Sequence, residues 1–315
     1  HSGDFRPVVL IDDSETLQGS VINGLPVHPL GCLPKLIEKF SLTHVYLALP
    51  SVDRGRRRDI LNELESLPVH LKTVPNFDDL VSGQASVTQL QDIAIEDLLG
   101  RDAVPPNRQL MQRCIRGKVV MVTGGGGSIG AELCRQILYC LPKELIIFDI
   151  SEYSLYQITE DLERIKEAEK STSNLVPLLG SVRDQARMTL IFTEFKVDTI
   201  YHAAAYKHVP MVEYNMAEGV ANNVFGTLSA GRAAVAAGVK TFELISTVKA
   251  VRPTNVMGAS KRLSELVLQG FAEKYEDTHF SMVRFGNVLG SSGSVLPLFR
   301  QQIKNGGPVT VTHKD

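Results

Sequence analysis

Three glycines, Gly124, Gly127 and Gly130, follow directly on the apolar run Val119, Val120, Met121 and Val122. Ser128 and Ile129 complete the loop, and an amphipathic stretch from Ala131 to Leu141 comes next. That order reads as strand, tight turn, helix. Glycine removes the Cβ that would keep a phosphate from the backbone, and the helix that starts there points N–H groups at an anion. An acid at the end of the following strand is expected to hold a ribose, and Leu145-Ile146-Ile147-Phe148-Asp149 supplies Asp149. The site is therefore expected to bind a dinucleotide. An acid at the ribose, where NADP would call for an arginine, favours NAD.

A second constellation runs from Glu243 to Lys261. Ligands of doubly wound sheets sit beyond the carboxyl ends of the strands, and this segment leaves a strand there. Ser246 and Thr247 bring hydroxyls and Lys249 brings an ammonium. Pro253-Thr254-Asn255 makes a turn, and Met257 and Lys261 stand four apart, on one face of a helix.

The elements that position these groups follow from the alternation of patterns. Strands are expected at 119–123, 144–149, 175–179, 198–202, 240–246 and 280–285, with helices between them at 152–170, 184–195, 216–237 and 258–275. This is a doubly wound parallel α/β sheet. The first 85 residues read as a smaller parallel α/β unit. Its strands are Pro7–Ile11, His44–Leu49 and His70–Val74, and its helices Leu33–Phe40 and Arg56–Leu67. Three segments result: 1–85, a linker over 86–116 that contains Pro105-Pro106, and 117–315.

The 315 residues carry 33 basic and 35 acidic side chains, a balance that gives no reason to expect a nucleic-acid partner. No apolar run approaches a membrane span, and no signal peptide is visible. Four cysteines without metal or redox spacing fit a reducing compartment. Eight scattered histidines without an HExxH pattern point to no metal site. The start at His1 and the stop at Asp315 read as those of a fragment.

Gly124-Gly127-Gly130, His202-Ala203-Ala204-Ala205, Asn222-Asn223-Val224 and the four-spaced pair ending in Lys261 resemble the extended short-chain dehydrogenase/reductase family, with its Rossmann fold. Within it, Tyr206-Lys207-His208-Val209-Pro210, Thr254-Asn255-Val256-Met257-Gly258 and Arg284-Phe285-Gly286-Asn287-Val288 are similar to one branch. This is the membrane-attached, long-chain nucleotide-sugar 4,6-dehydratases of bacterial polysaccharide biosynthesis. Asp12-Asp13, Gly24-Leu25-Pro26-Val27 and the Ile95–Arg101 stretch extend the resemblance over nearly the whole chain.

The resemblance implies a lyase working with bound NAD on UDP-N-acetylglucosamine. Oxidation at carbon 4 acidifies the carbon 5 proton, the 6-hydroxyl leaves, and hydride returns to carbon 6. It also implies membrane helices upstream, a partial Rossmann-like first domain, a homo-oligomer, and a place at the cytoplasmic face of the bacterial inner membrane, the fragment itself being soluble. By the same resemblance Thr247 meets the 4-hydroxyl, Lys249 is a candidate base, and Lys261 holds the nicotinamide ribose. Met257 stands where most of the superfamily has a catalytic tyrosine. Ala203 and Ala204 line the cofactor, while Lys207, His208 and Asn287 belong to the substrate side.

Two departures stand out. The branch has Thr-Asp-Lys where this chain has Thr247-Val248-Lys249, and valine carries no proton for the leaving hydroxyl. Either elimination is impaired or another acid, such as Glu213, substitutes. Ser181 stands where an aspartate often contacts adenine. Two other activities stay open: a nucleotide-sugar 4-epimerase, and a silent module that binds NAD and a nucleotide sugar. Plainer readings also stay open for single residues. His202 and Met257 can be core, Lys207, His208 and Lys249 solvated, and Asp12-Asp13 a turn cap.

Overall fold

Leu33, Leu36 and Ile37 recur at helical spacing and are all buried, which places one face of their helix in a core. They belong to the first of two compact units, His1–Pro105 and Pro106–Asp315. The computed structural model describes residues 6–48, 54–65, 67–74, 104, 106–286, 288 and 295–310.

The first unit contains β1 (Leu10–Ile11), β2 (Val21–Ile22), β3 (Leu25–His28), α1 (Leu33–Phe40), β4 (His44–Leu47), α2 (Arg54–Glu65) and β5 (His70–Thr73). The parallel β4–β5 pair packs with α1 and α2 around Leu33, Ile37, Leu47 and Leu64. The other sheet, ordered β1-β3-β2, departs from the all-parallel expectation because β2 and β3 run antiparallel. Asn23 (φ 49°) and Gly24 (φ 81°) turn that hairpin with left-handed backbone at both central positions, the combination that Asn-Gly tolerates best. Strand Pro7–Ile11 shortens to β1. Asp12 accepts from the Ser14 N–H at 2.8 Å, a turn-capping contact.

In the second unit α3 (Arg108–Arg113) precedes β6 (Val119–Thr123), whose five residues are all buried, as in a strand covered on both faces. Then come α4 (Ser128–Tyr139), β7 (Glu144–Asp149), α5 (Glu152–Ala168), β8 (Asn174–Leu179), α6 (Gln185–Phe195) and β9 (Thr199–His202). After these follow α7 (Val209–Tyr214), α8 (Met216–Val220), α9 (Gly226–Ala237), β10 (Thr241–Thr247), α10 (Val256–Lys274), β11 (His279–Phe285) and α11 (Val295–Lys304). The sheet is ordered β8-β7-β6-β9-β10-β11 and every pairing is parallel. Val122, Ile147, Leu138 and Leu162 bind α4 and α5 to one face. Met121, Phe242, Phe192 and Leu268 bind α6 and α10 to the other. Chain order reverses between β6 and β9, so a crevice opens at their carboxyl ends.

The segment read as one helix over 216–237 is broken. Residues Ala221–Phe225 form a π turn between α8 and α9. A hydrophobic period does not register one inserted residue, and π turns are frequent at functional sites. Here the turn aims Asn223 at Tyr206: Oδ1 accepts from the Tyr206 N–H at 2.8 Å and Nδ2 donates to the Tyr206 carbonyl at 3.0 Å. Of the expected linker, residues 106–116 belong to the second unit, where the Thr199 hydroxyl donates to the Cys114 carbonyl at 2.7 Å. Residues 86–103 lie outside the described ones. Among the described residues no helix is long and apolar enough to cross a membrane.

His202 closes β9 as a core residue, fully buried between Thr123 (2.7 Å to Nδ1) and Thr227 (3.2 Å to Nε2). Burial, assisted by the positive charge of Lys261, lowers its pKa from 6.5 to about 3. A histidine depressed in the folded state stabilises it fully above pH 6.5, and that stability is lost as the pH falls toward 3. Between those limits the slope for this one group approaches about 1.4 kcal/mol per pH unit. Urea unfolding at pH 7 and pH 4.5 should therefore show a smaller acid loss in His202→Gln than in the parent. Equal losses in the two proteins would contradict this role.

Candidate active site

The crevice is built on missing side chains. Gly124 follows β6 at φ 69°, and a Cβ there would lie 2.6 Å from the Ala204 backbone nitrogen. A Cβ on Gly126 would lie 2.5 Å from the Ser154 Cβ, and one on Gly130 only 2.0 Å from the Gly124 carbonyl oxygen. These three glycines let the loop after β6 touch the loop after β9 and the starts of α4 and α5. Gly127 differs. Its φ of −74° is ordinary, and a Cβ there would meet only the Gly124 carbonyl oxygen, at 3.3 Å. It stands at the N-cap of α4, supplies no side-chain cap, and leaves the amino end of that helix facing the crevice.

Two adjoining cavities occupy the crevice. One, of about 230 Å³, is bounded by Gly126, Gly127, Asp149, Ser181, Ala204 and Asn222. The other, of about 490 Å³, is bounded by Ser128, Ile129, Gly130, Ala203, Lys207 and His208. Both share Gly124, Gly127, Ala203, Ala205 and Tyr206. The glycine loop, Asp149, Ala203, Ala204, Lys207 and His208 thus come together from the carboxyl ends of three strands, β6, β7 and β9. Asp149 does more than face the cavity: Oδ2 accepts from the Gly126 N–H at 2.9 Å and Oδ1 from the Ser151 N–H at 2.8 Å. Its carboxylate is at once a cavity wall and the brace of the loop.

Thr247, Lys249, Met257 and Lys261 gather at the carboxyl end of β10 and the first turns of α10. The Thr247 hydroxyl accepts from the Lys249 N–H at 3.3 Å and so caps a single 3-10 turn, on which Val248 and Lys249 are exposed. Gly258 packs directly beneath, where a Cβ would lie 2.5 Å from the Lys249 carbonyl. Met257 is 3 % exposed. Lys261 is buried on the same helix face, its Nζ donating to the Ile245 carbonyl at 2.7 Å. Burial lowers its pKa to about 8 against the opposing pull of Glu265. Glu213 spends Oε1 on the Val256 N–H at 2.7 Å, capping α10 together with Asn255. Asn287 lies outside the described residues.

Sequence reasoning missed two residues here. Asn223, the clamp on Tyr206, lay inside a quoted motif without a role. Glu265 is wholly buried and accepts from Ser246 (2.6 Å), Arg262 (2.9 Å) and both Nε and Nη2 of Arg284 (2.7 and 2.6 Å). Burial alone would raise its pKa, but these hydrogen bonds prevail and hold it at about 2. Its spacing of four from Lys261 was the available signal.

A family model described as "Polysaccharide biosynthesis protein" matches residues 120–315. The capsular polysaccharide biosynthesis protein CapD of Staphylococcus aureus is 41% identical over 314 residues, 99% of this chain and 52% of that protein. The chain thus spans about half the length of that relative. A UDP-N-acetylglucosamine 4,6-dehydratase (inverting) of Campylobacter jejuni is 34% identical over 62% of this chain and 58% of its own. A UDP-glucose 4-epimerase of Rickettsia prowazekii is 36% identical over 62% of this chain and 56% of its own. Among solved structures, a double mutant of DesIV from Streptomyces venezuelae, a dTDP-glucose 4,6-dehydratase with NAD and DAU bound, superposes with a TM-score of 0.52. It is 25% identical and matches 60% of this chain and 63% of that one.

The contacts around the glycines set a test of the loop itself. Gly130→Ala drives a methyl group into the Gly124 carbonyl, where only backbone could give way. Chemical denaturation should show a loss of about 1–3 kcal/mol, the usual cost of overpacking. A variant as stable as the parent would show that the loop has room to shift.

Proposed function

The chain belongs to the polysaccharide biosynthesis protein family, and from that premise we propose that it is part of an NAD-dependent UDP-N-acetylglucosamine 4,6-dehydratase. Its product would be a UDP-4-keto-6-deoxy sugar for surface polysaccharide. The observation that carries this reading is that an anion-seating glycine loop and the Thr247–Lys249 turn with Lys261 lie at the carboxyl ends of β6 and β10, the same end of one parallel sheet. The similarity to a UDP-N-acetylglucosamine 4,6-dehydratase over 62% of the chain supports it.

The residues suit a dinucleotide. Gly127 leaves space beside the amino end of α4, where a pyrophosphate is favoured by dipole and N–H groups. Asp149 lines the adjoining cavity as a hydrogen-bond acceptor for ribose hydroxyls and repels a 2′-phosphate. Bound NAD would supply hydride acceptance and return. The chain's own residues would do the rest. Lys261 brings a buried cation to the nicotinamide ribose. The Thr247 hydroxyl orients the sugar 4-hydroxyl, and Lys249, on its exposed turn, moves the carbon 5 proton. Met257 moves no proton and closes the floor. Lys207 and His208 flank the substrate side. The parent protein, on this reading, is an oligomer anchored to the inner membrane by segments beyond this chain.

Val248 favours a second reading. It is 51% exposed where the leaving 6-hydroxyl would need a proton, and Glu213 is engaged at the start of α10. A 4-epimerase needs no acid there, and an epimerase is among the similar proteins. Met257 argues against it, since that activity calls on the tyrosine this site lacks. Incubation with UDP-N-acetylglucosamine separates the two. A 4-keto-6-deoxy product supports the dehydratase, and a product epimerised at carbon 4 replaces that reading with the second.

Two variants test the parts. Gly127→Val should abolish NAD binding by calorimetry, because its side chain enters the pyrophosphate space, with circular dichroism checking that the variant folds. Retained affinity would move the cofactor elsewhere. In the full-length protein Val248→Asp should raise dehydratase turnover by about 10²–10⁴-fold, the usual worth of a general acid, with NAD affinity unchanged. No gain would place the acid on another residue.

A further inference from the structure

Lys261 and Glu265 stand one turn apart on α10, and both are buried at the carboxyl end of β10. Their partners divide the surrounding elements between them. Lys261 Nζ reaches the Ile245 carbonyl. Glu265 takes the hydroxyl of Ser246, the next residue of β10, together with Arg284 of β11 and Arg262 of its own helix. Ser246 and Arg284 are register partners at the ends of their strands. One carboxylate therefore gathers a hydroxyl and two guanidinium groups beside a buried ammonium. A buried carboxylate can hold β10, β11 and α10 together and, through its charge, also set the protonation of the lysine.

We propose that Glu265 is a positioning residue that keeps Lys261 charged and aimed at the carboxyl end of β10, where the proposed cofactor and sugar would meet. The functional meaning rests on the dehydratase reading; the electrostatics do not. Among the described residues, the charged and titratable groups on the elements around Lys261 are few. β9 contributes His202, buried between two threonine hydroxyls. β11 contributes Arg284, already engaged with Glu265, and the turn after β10 contributes the exposed Lys249. From α7 comes Glu213, occupied at the Val256 N–H, and from α8 comes Glu218, paired with Arg183. Arg232 of α9 is exposed. Glu265 is thus the carboxylate placed to offset the burial of Lys261, in keeping with its opposing pull on the lysine.

The charge and the tie can be separated. Glu265→Gln removes the negative charge and leaves two arginines uncompensated, whereas Arg284→Met breaks the same tie but keeps the carboxylate. Lysine-Cε-labelled protein is titrated by NMR without cofactor or substrate, with the Lys261 signal identified by its loss in Lys261→Arg. The Lys261 midpoint is expected to fall by about one pH unit in Glu265→Gln and to rise in Arg284→Met. A purely structural tie would move both variants in the same direction. Movement in one direction, or an unmoved midpoint in Glu265→Gln, overturns the proposal. If Glu265→Gln does not fold, Arg284→Met decides, and a midpoint that falls or stays overturns it. Because this titration reads Lys261 itself, its failure is distinct from a failure of the dehydratase reading, which product analysis decides.

Discussion

Everything at the crevice depends on a backbone-to-backbone approach where β6 and β9 part company. The Gly124 loop lies against Ala204, and the start of α4 lies against the Gly124 carbonyl, at separations no Cβ permits. The sheet order sends the two following connections to opposite sides and so opens the gap. The glycines then let the gap be lined by peptide groups. A helix amino end is left facing it with no side-chain cap, and the anion-seating character follows from that geometry alone.

The same economy governs Asp149. A carboxylate at the end of β7 braces the loop through Gly126 and the entry to α5 through Ser151. Any ligand it meets is met by an already oriented group, and the cost of orienting it is met during folding. On the other side Asn223 does comparable work on the Tyr206 peptide, because the π turn rotates it out of the helical register. The crevice is a place where several backbone segments are held in position by polar side chains that then face a cavity.

At the far end the arrangement is tighter and more charged. The turn after β10 rests on Gly258, and beneath it lie Met257, Lys261 and the Glu265 cluster. Above it the turn is exposed and carries Val248. It ends at Arg252, whose φ of 47° puts a non-glycine residue in the left-handed region at some conformational cost. The lower layer is thus bound by ion pairs that two partly exposed arginines make to a buried carboxylate, and the upper layer carries Val248.

Much of this was legible in the order of residues. The six strands of the second unit, the glycine loop and Asp149 all follow from local patterns, since apolar runs, glycines and an acid at the next strand end are properties of short segments. The i, i+4 pairing of Met257 with Lys261 is legible for the same reason. The hairpin of the first unit went unread because its strands are two and four residues long, too short to show a period. Tertiary structure alone decided that His202 is core and that Glu213 caps α10. It also turned Asn223 toward Tyr206 and gathered Ser246, Arg262 and Arg284 around Glu265. Each of these is a contact between side chains or peptides separated in the chain, and its energy depends on burial that only the packed sheet creates.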